Sequence, residues 1–240
     1  MGTMVNLYKE EAKIVLEKKN IFGEKANIIG VMDISGSIKK YFRNGTVQQT
    51  FERVLGVGMN MDSNKSIEVY AFNNDVTYIG EANEGNIENF TNNVFLKKVK
   101  VNGGTNYAPA MKAVVDKVDG EEKGGFFKRL FGKKEDSGID KDLPTFVFFF
   151  TDGENSDVSA TKAYIKEISD KPIFWQFVGI GDKKMPFLDE LDTMTGRVVD
   201  NANFFRAEDI KNLSNSGLYN AILNEYPLWL KEVRRKGIVK

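Results

Sequence analysis

Two short turns in this sequence concentrate oxygen-bearing side chains. Asp33, Ser35 and Ser37 alternate in the segment DISGS, and Asp152 lies in the segment TDGE. The 240 residues include no His and no Cys, which excludes thiol nucleophiles, Ser-His-Asp and Cys-His catalysis, and zinc sites built from His or Cys. Any metal bound here must be held by oxygen atoms. Mg²⁺ is therefore the natural candidate, with Ca²⁺ or Mn²⁺ as alternatives.

Each turn directly follows an apolar stretch of the kind that forms a buried strand. Asn27–Met32 reads NIIGVM and Thr145–Phe150 reads TFVFFF, and continuous apolar runs of this length are typical of strands covered on both faces. These are the first and fourth predicted strands. In the doubly wound strand order 3-2-1-4-5-6 they are neighbours and flank the crevice where ligands bind. We therefore expect the carboxylates of Asp33 and Asp152 to converge.

Two carboxylates in one crevice repel each other unless a cation lies between them. Neither turn contains a basic residue. A divalent ion would balance the two charges, and the hydroxyls of Ser35 and Ser37 would add further oxygen ligands. In an extended turn, Asp33, Ser35 and Ser37 point the same way, and Gly36 allows the backbone to curve around the ion.

The rest of the chain alternates between strand and helix patterns. Ser66–Phe72 and Val76–Gly80 are separated by only three residues, too few for a parallel crossover, so the pair must be antiparallel and the second strand an edge. The sequence predicts an α/β protein with a doubly wound, Rossmann-like sheet, mostly parallel with one antiparallel edge strand, and helices on both faces. The other predicted strands are Ile173–Ile180 and Arg197–Phe205, and the predicted helices are Val5–Leu16, Val47–Met61, Ile87–Phe95, Tyr107–Val118, Ala160–Ile168, Met185–Met194 and two on either side of Pro227.

One polar, glycine-bearing segment interrupts the alternation. We predict a lead-in helix within residues 1–22 and a single domain over residues 23–240, with an insertion at about residues 119–142. Within the insertion, residues 123–134 (KGGFFKRLFGKK) carry five basic and no acidic side chains. Two interpretations remain open: a loop that docks on an anionic membrane or an acidic partner, or a loop without ordered structure. The residues that would make the contact are Phe126, Phe127, Lys128, Arg129, Leu130 and Phe131.

The overall charge and hydropathy patterns bound the partners and the location. Thirty-four basic residues balance 34 acidic ones, which argues against a nucleic-acid binder, because phosphate contacts require an excess of Lys and Arg. No stretch approaches the roughly 18 apolar residues of a membrane span, and the N-terminus lacks the apolar core of a signal peptide. We therefore expect a cytoplasmic protein, with the basic loop allowing peripheral contact with the inner membrane face.

The order of the oxygen-bearing residues resembles a known motif. Asp33-x-Ser35-x-Ser37, Thr105 after two glycines, and Asp152 in Thr-Asp-Gly resemble the complete metal-ion-dependent adhesion site (MIDAS) of von Willebrand factor A (vWA) domains. The resemblance implies that these five residues hold the metal directly or through water. It also implies that one coordination position stays open for an acidic residue of a partner. Gly103 and Gly104 would let the Thr105 backbone approach the ion closely.

A closer resemblance covers most of the chain outside the insertion. The segments VNGGTNYAPAM, FFFTDGENSD and LYNAILNEYPLWLKEVRRKGI are similar to the TerF-like vWA proteins of bacterial tellurium-resistance and stress operons, and also to the copine A domain. The resemblance implies a role in a stress-response complex, with other tellurium-resistance proteins as partners.

The function predicted from these observations is a non-enzymatic, metal-dependent protein-interaction module. The alternative is a Mg²⁺-dependent phosphohydrolase with Asp33 as an aspartyl nucleophile. Such enzymes need an acid–base carboxylate two residues later, where this chain has Ser35. Nucleotide binding is disfavoured because neither a Walker loop nor a GxGxxG loop follows the first strand.

Overall fold

The computed structural model describes residues 3–120 and 138–240 and contains one six-stranded sheet. The strands are β1 (Asn27–Asp33), β2 (Ser66–Phe72), β3 (Val76–Asn83), β4 (Thr145–Thr151), β5 (Ile173–Ile180) and β6 (Ala202–Ala207). Their spatial order is β3-β2-β1-β4-β5-β6. Only β3 runs antiparallel to its neighbour. The predicted strand order, the antiparallel edge strand and the α/β fold class are confirmed.

Helices cover both faces of this sheet. They are α1 (Thr3–Lys18), α2 (Lys39–Arg43), α3 (Thr46–Met61), α4 (Leu96–Lys98), α5 (Tyr107–Asp119), α6 (Val158–Glu167), α7 (Pro186–Asp189), α8 (Asn215–Ile222) and α9 (Tyr226–Arg235), with a π-helical turn at Thr91–Phe95 and a 3₁₀ turn at Leu191–Thr193. One apolar cluster joins α1, α3, α8 and α9 to the sheet, and a second joins α5 and α6 to its other face. The alternation of β4 divides its side chains between the clusters, because successive strand residues point to opposite faces.

The strand register brings the ends of β1 and β4 together. Met32 pairs with Phe150, so Asp33 and Thr151 end their strands side by side, and Asp152 begins the next turn. Every residue of both strands is buried. Polar side chains at these two strand ends therefore share one small, sheltered volume at the carboxyl edge of the sheet.

Three predicted elements differ from the structure. The last strand starts at Ala202, which pairs with Trp175, rather than at Arg197. The Arg197 guanidinium instead donates to the carbonyls of Met194 and Leu191, which holds the preceding segment in a loop. The predicted helix Met185–Met194 is divided into α7 and the 3₁₀ turn, and Ile87–Phe95 is helical only from Thr91.

The last described residues of the predicted insertion are part of the packed domain. Helix α5 ends at Asp119, and the described chain resumes at residue 138. The Asn27 side chain forms hydrogen bonds to both the N–H and the carbonyl of Asp140, each at 2.8 Å. The contact residues Phe126, Phe127, Lys128, Arg129, Leu130 and Phe131 lie outside the described residues. Within the described ranges, no helix is long and apolar enough to cross a membrane.

The N-terminal helix packs closely on α3. Residues Val5, Ala12 and Leu16 belong to the same apolar cluster as the α3 side chains. A Cβ atom placed on Gly56 would lie 2.8 Å from the backbone carbon of Tyr8, so the helices approach to a distance that only glycine permits. The predicted boundary at residue 22 stays a prediction, but α1 shares the core of the domain.

We expect Gly56→Ala to lower the free energy of unfolding by about 1–3 kcal/mol. The added methyl group would collide with the Tyr8 backbone, and this cost exceeds the roughly 1 kcal/mol that alanine gains over glycine in a helix. Urea denaturation followed by circular dichroism measures the change. An unchanged or increased free energy of unfolding would show that α1 is not held this close to α3.

Candidate metal site

The turn after β1 is organised around the carboxylate of Asp33. This side chain is fully buried. Its Oδ1 accepts a hydrogen bond from the Ser35 backbone N–H at 2.6 Å, and its Oδ2 accepts one from the Thr151 hydroxyl at 2.8 Å. Both donors are neutral, so they orient the carboxylate without balancing its charge.

Hydroxyl groups connect this turn to the turn after β4. The Ser37 hydroxyl donates to Asp152 Oδ1 at 2.5 Å, and the Ser35 and Ser37 hydroxyl oxygens lie 3.3 Å apart. Ser35 and Asp152 are buried, whereas Ser37 is exposed at the opening of the crevice. The two acidic turns thus converge, and their oxygen atoms point into one volume.

Backbone hydrogen bonds join the loop that contains Thr105 to this region. The N–H of Gly36 donates to the Gly103 carbonyl at 3.2 Å, and the N–H of Ser156 donates to the Thr105 carbonyl at 2.8 Å. The loop therefore lies between the β1 turn and the β4 turn. Of the five predicted ligands, hydrogen bonds join Asp33, Ser35, Ser37 and Asp152 into one group, and Thr105 lies beside them. Metal binding by these residues stays a prediction.

The two loop glycines pack against the β2–β3 turn. The Gly104 N–H donates to Asn74 Oδ1 at 2.7 Å, and the Asn73 side chain donates to the Asn102 carbonyl at 2.9 Å. A Cβ atom on Gly103 or Gly104 would come within 3.0 Å of these asparagine side chains. Gly103 also has a φ of +89°, which disfavours other residues. The glycines thus allow this contact between the two loops, a role that the sequence analysis missed.

Tyr107 and Asp157 form hydrogen bonds that connect the β4 turn to the start of α5, at one wall of the crevice. The Tyr107 hydroxyl donates to the Gly153 carbonyl at 2.6 Å. The Asp157 carboxylate accepts from the N–H groups of Tyr107 at 3.0 Å and Ala108 at 2.9 Å, the first turn of α5. A carboxylate is stabilised there by the free N–H groups and the helix dipole. Asp157 is therefore a helix cap.

The Asp33 carboxylate is held in an unfavourable electrostatic environment. Burial raises the pKa of Asp33 from 3.8 to about 6, because a desolvated carboxylate loses the hydration of its charge. Hydrogen bonds from Ser35 and Thr151 act in the opposite direction, and the nearby charge of Asp152 raises this pKa further. A cation in the crevice would remove this penalty.

A basic side chain from a third turn contacts the site. Lys183, after β5, places its Nζ 3.2 Å from Asp152 Oδ2. Lys183 was not among the site residues predicted from the sequence, which came from the turns after β1 and β4 and from the Thr105 loop. The signal was present in the strand order, since β5 is the neighbour of β4 and its following turn must lie beside Asp152.

The available ligands are hard oxygen atoms of two carboxylates and several hydroxyls. Within residues 3–120 and 138–240, no group of three or more acidic, His or Cys side chains is placed to hold a metal ion. A metal in this crevice would thus depend on hydroxyl oxygens and water for the remaining positions. That donor set suits Mg²⁺, which commonly keeps several waters and binds one or two carboxylates.

In the presence of a chelator, we expect Asp33→Asn to stabilise the protein at pH 7.5 by up to about 3 kcal/mol. The amide carries no charge to desolvate, and the Thr151 hydroxyl can donate instead to the Gly153 carbonyl, 3.1 Å away. Because the folded-state pKa of Asp33 is above 3.8, the wild-type protein gains stability as the pH falls from 7 toward 4. The advantage of the variant should therefore shrink over that range, as measured by urea denaturation.

Asp157→Asn is the matched control for this experiment. It removes a neighbouring carboxylate that caps α5, so we expect it to destabilise the protein by about 1 kcal/mol. If both variants shift stability in the same direction, the buried charge of Asp33 is not the source of the effect.

Comparisons with known proteins identify the fold family. The family model described as vWA-TerF-like, a vWA domain found in the TerF C terminus, matches residues 25–239. The uncharacterized protein YcbR of Bacillus subtilis (strain 168) is 36% identical over 238 residues, which cover 98% of this chain and 90% of YcbR.

Solved structures show the same fold at low sequence identity. Proximal thread matrix protein 1 from the mussel byssus aligns with a TM-score of 0.55 and 16% identity, covering 85% of this chain and 48% of that one. A structure of the same protein with a zinc-occupied MIDAS motif aligns with a TM-score of 0.50 and 16% identity, covering 84% and 46%. This chain thus spans just under half the length of those proteins. With a family match over most of its length and a relative at 36% identity, the chain belongs to the vWA-TerF-like family of von Willebrand factor A domains.

Proposed function

We propose that this protein is a metal-dependent protein-interaction module. A divalent cation, Mg²⁺ in the first instance, would be held at the carboxyl edge of the sheet by a complete MIDAS. An acidic residue of a partner protein would then bind to the ion. The proposed ligands, acting directly or through water, are Asp33, Ser35, Ser37, Thr105 and Asp152.

The buried charge of Asp33 is the observation that carries this proposal. Its carboxylate is fully buried, both of its oxygens accept from neutral donors, and Asp152 adds a second negative charge nearby. A protein gains nothing in stability from this arrangement alone, whereas a divalent ion turns both carboxylates into favourable contacts. The zinc-occupied MIDAS of the mussel protein supports a divalent metal at a MIDAS of this fold.

Charge balance explains why the partner should offer an Asp or a Glu. Two carboxylates only neutralise a divalent cation, so a third carboxylate still gains from the ion's field in a partly desolvated crevice. Ser37 is exposed at the opening, which leaves the ion accessible from one side. The ligand would therefore approach over Ser37.

The family assignment supports a more specific cellular role. Membership of the vWA-TerF-like family supports a place in a tellurium-resistance or stress-response complex in the cytoplasm, with other proteins of that system as partners. The basic and aromatic residues of the segment 123–134 would add a second contact, to a partner or to the inner membrane face.

The geometry favours a binding role over the phosphohydrolase alternative. A nucleophilic carboxylate must reach its substrate, but Asp33 is fully buried and both its oxygens already accept hydrogen bonds. The hydroxyl of Ser35 cannot replace the missing acid–base carboxylate. Burial also raises the pKa of Tyr107, the nearest phenol in the wall, far above the range useful for proton transfer. We therefore propose that the module is not an enzyme.

We expect Ser35→Ala to weaken Mg²⁺ binding at least tenfold in calorimetric titrations. The substitution removes a buried hydroxyl aimed at the crevice and leaves the Ser35 N–H bond to Asp33 intact. Ser156→Ala is the control, because Ser156 contacts the Thr105 loop through its backbone N–H and its side chain is exposed. Equal Mg²⁺ affinity in both variants would contradict the proposed ligand set.

Partner binding can be tested by capture from a cell extract of the source organism. Proteins retained by the wild type in Mg²⁺ should be lost with a chelator and with Ser35→Ala, and kept by Ser156→Ala. A partner retained equally under all four conditions would defeat the adhesion mechanism while leaving the fold assignment intact.

A further inference from the structure

The turn after β5 brings a lysine to the edge of the proposed metal site. Lys183 Nζ lies 3.2 Å from Asp152 Oδ2, and the Lys183 side chain is 48% exposed while that of Asp152 is 2% exposed. The ammonium also lies over the β4 turn, 3.8 Å from the position of a Cβ on Gly153. Lys183 thus approaches the buried carboxylate from the solvent side.

The contacts of the two aspartates are unequal. Asp152 is shared between the Ser37 hydroxyl at Oδ1 and the Lys183 ammonium at Oδ2. Asp33 accepts hydrogen bonds from the Ser35 N–H and the Thr151 hydroxyl, which are both neutral. The ammonium of Lys183, at the edge of the site, therefore compensates only part of the combined negative charge of Asp33 and Asp152.

We propose that Lys183 is a tethered cation that competes with the divalent ion for Asp152. It would neutralise Asp152 in the metal-free protein and leave when the ion binds, and so set the metal affinity of the site. This inference rests on the proposed function of the site, since it requires that the ion bind beside Asp152.

Simple electrostatics makes this exchange favourable. A divalent ion within a few ångströms of Asp152 carries two positive charges, whereas the Asp152 carboxylate carries one negative charge. The ion therefore repels a neighbouring ammonium more strongly than that carboxylate attracts it. Ion pairs with an exposed partner contribute little to stability, so releasing Lys183 into water costs little. The exposed lysine stem has room to move away, and the swing needs no rearrangement of the buried turns.

A permanent structural ion pair would behave differently. If Lys183 orients Asp152 for the metal, removing the lysine should weaken metal binding. If Lys183 competes with the metal, removing it should strengthen binding. The direction of the change in Mg²⁺ affinity therefore separates the two roles.

The test is a calorimetric Mg²⁺ titration of the full-length wild type and three variants at constant ionic strength. We expect Lys183→Met to lower the Kd for Mg²⁺ about three- to tenfold, because methionine keeps the length of the side chain and removes its charge. Lys183→Arg should remain within about twofold of the wild type. Lys184→Met removes the same charge from the adjacent exposed lysine and controls for the change in net charge.

The outcomes distinguish failure of this inference from failure of the proposed function. Tighter Mg²⁺ binding by Lys183→Met alone supports the tethered cation. If the wild type binds Mg²⁺ and Lys183→Met binds it equally or more weakly, or if Lys184→Met tightens binding just as much, the inference is wrong and the metal site stands. If neither the wild type nor Lys183→Met binds Mg²⁺, both proposals are wrong.

Discussion

The carboxylate of Asp33, at the end of a fully buried strand, is unfavourable unless neighbouring groups compensate its charge. Two neutral hydrogen-bond donors stabilise the Asp33 carboxylate in part, and the nearby charge of Asp152 increases the electrostatic penalty that is left. Burying a charge is costly unless it is paired or bound to a metal. The neutral donors around Asp33 therefore leave its buried charge only partly compensated.

The position of this charge follows from the sheet and could be predicted from the sequence. Two strands in the sequence are apolar throughout and are each followed by an acidic turn, which indicated that β1 and β4 are central neighbours. In the structure the two strands are paired, with Met32 opposite Phe150. The alternation of Asp33, Ser35 and Ser37 indicated which side chains share one direction. Strand order and side-chain period are strong constraints, because a shift of one residue would turn every side chain of the strand to the opposite face of the sheet.

Contacts between distant loops are harder to predict, because they follow from the strand order rather than from a local pattern. Lys183 reaches Asp152 from the turn after β5, and Asn74 bonds the N–H of Gly104, although no local pattern marks either contact. Arg197, the first residue of a segment predicted as a strand, instead donates to the carbonyls of Met194 and Leu191, and the strand begins only at Ala202. Local propensity contributes only tenths of a kcal/mol per residue, so a few side-chain hydrogen bonds of this kind can outweigh it.

The electrostatic penalty of the buried Asp33 carboxylate links the proposed metal binding to the stability of the domain. A ligand that binds only the folded state stabilises it by an amount that grows with its concentration relative to Kd. An ion at this site would in addition remove the penalty that burial imposes on Asp33, so the unfavourable charge of the metal-free protein becomes part of the driving force for binding. Natural proteins often carry such local conflicts at functional sites and compensate for them elsewhere, here in a sheet whose central strands are buried throughout. For stability alone, an apolar or amide side chain would serve better at the end of β1. The carboxylate of Asp33 is therefore the strongest physical argument for the proposed cation site at this edge of the sheet.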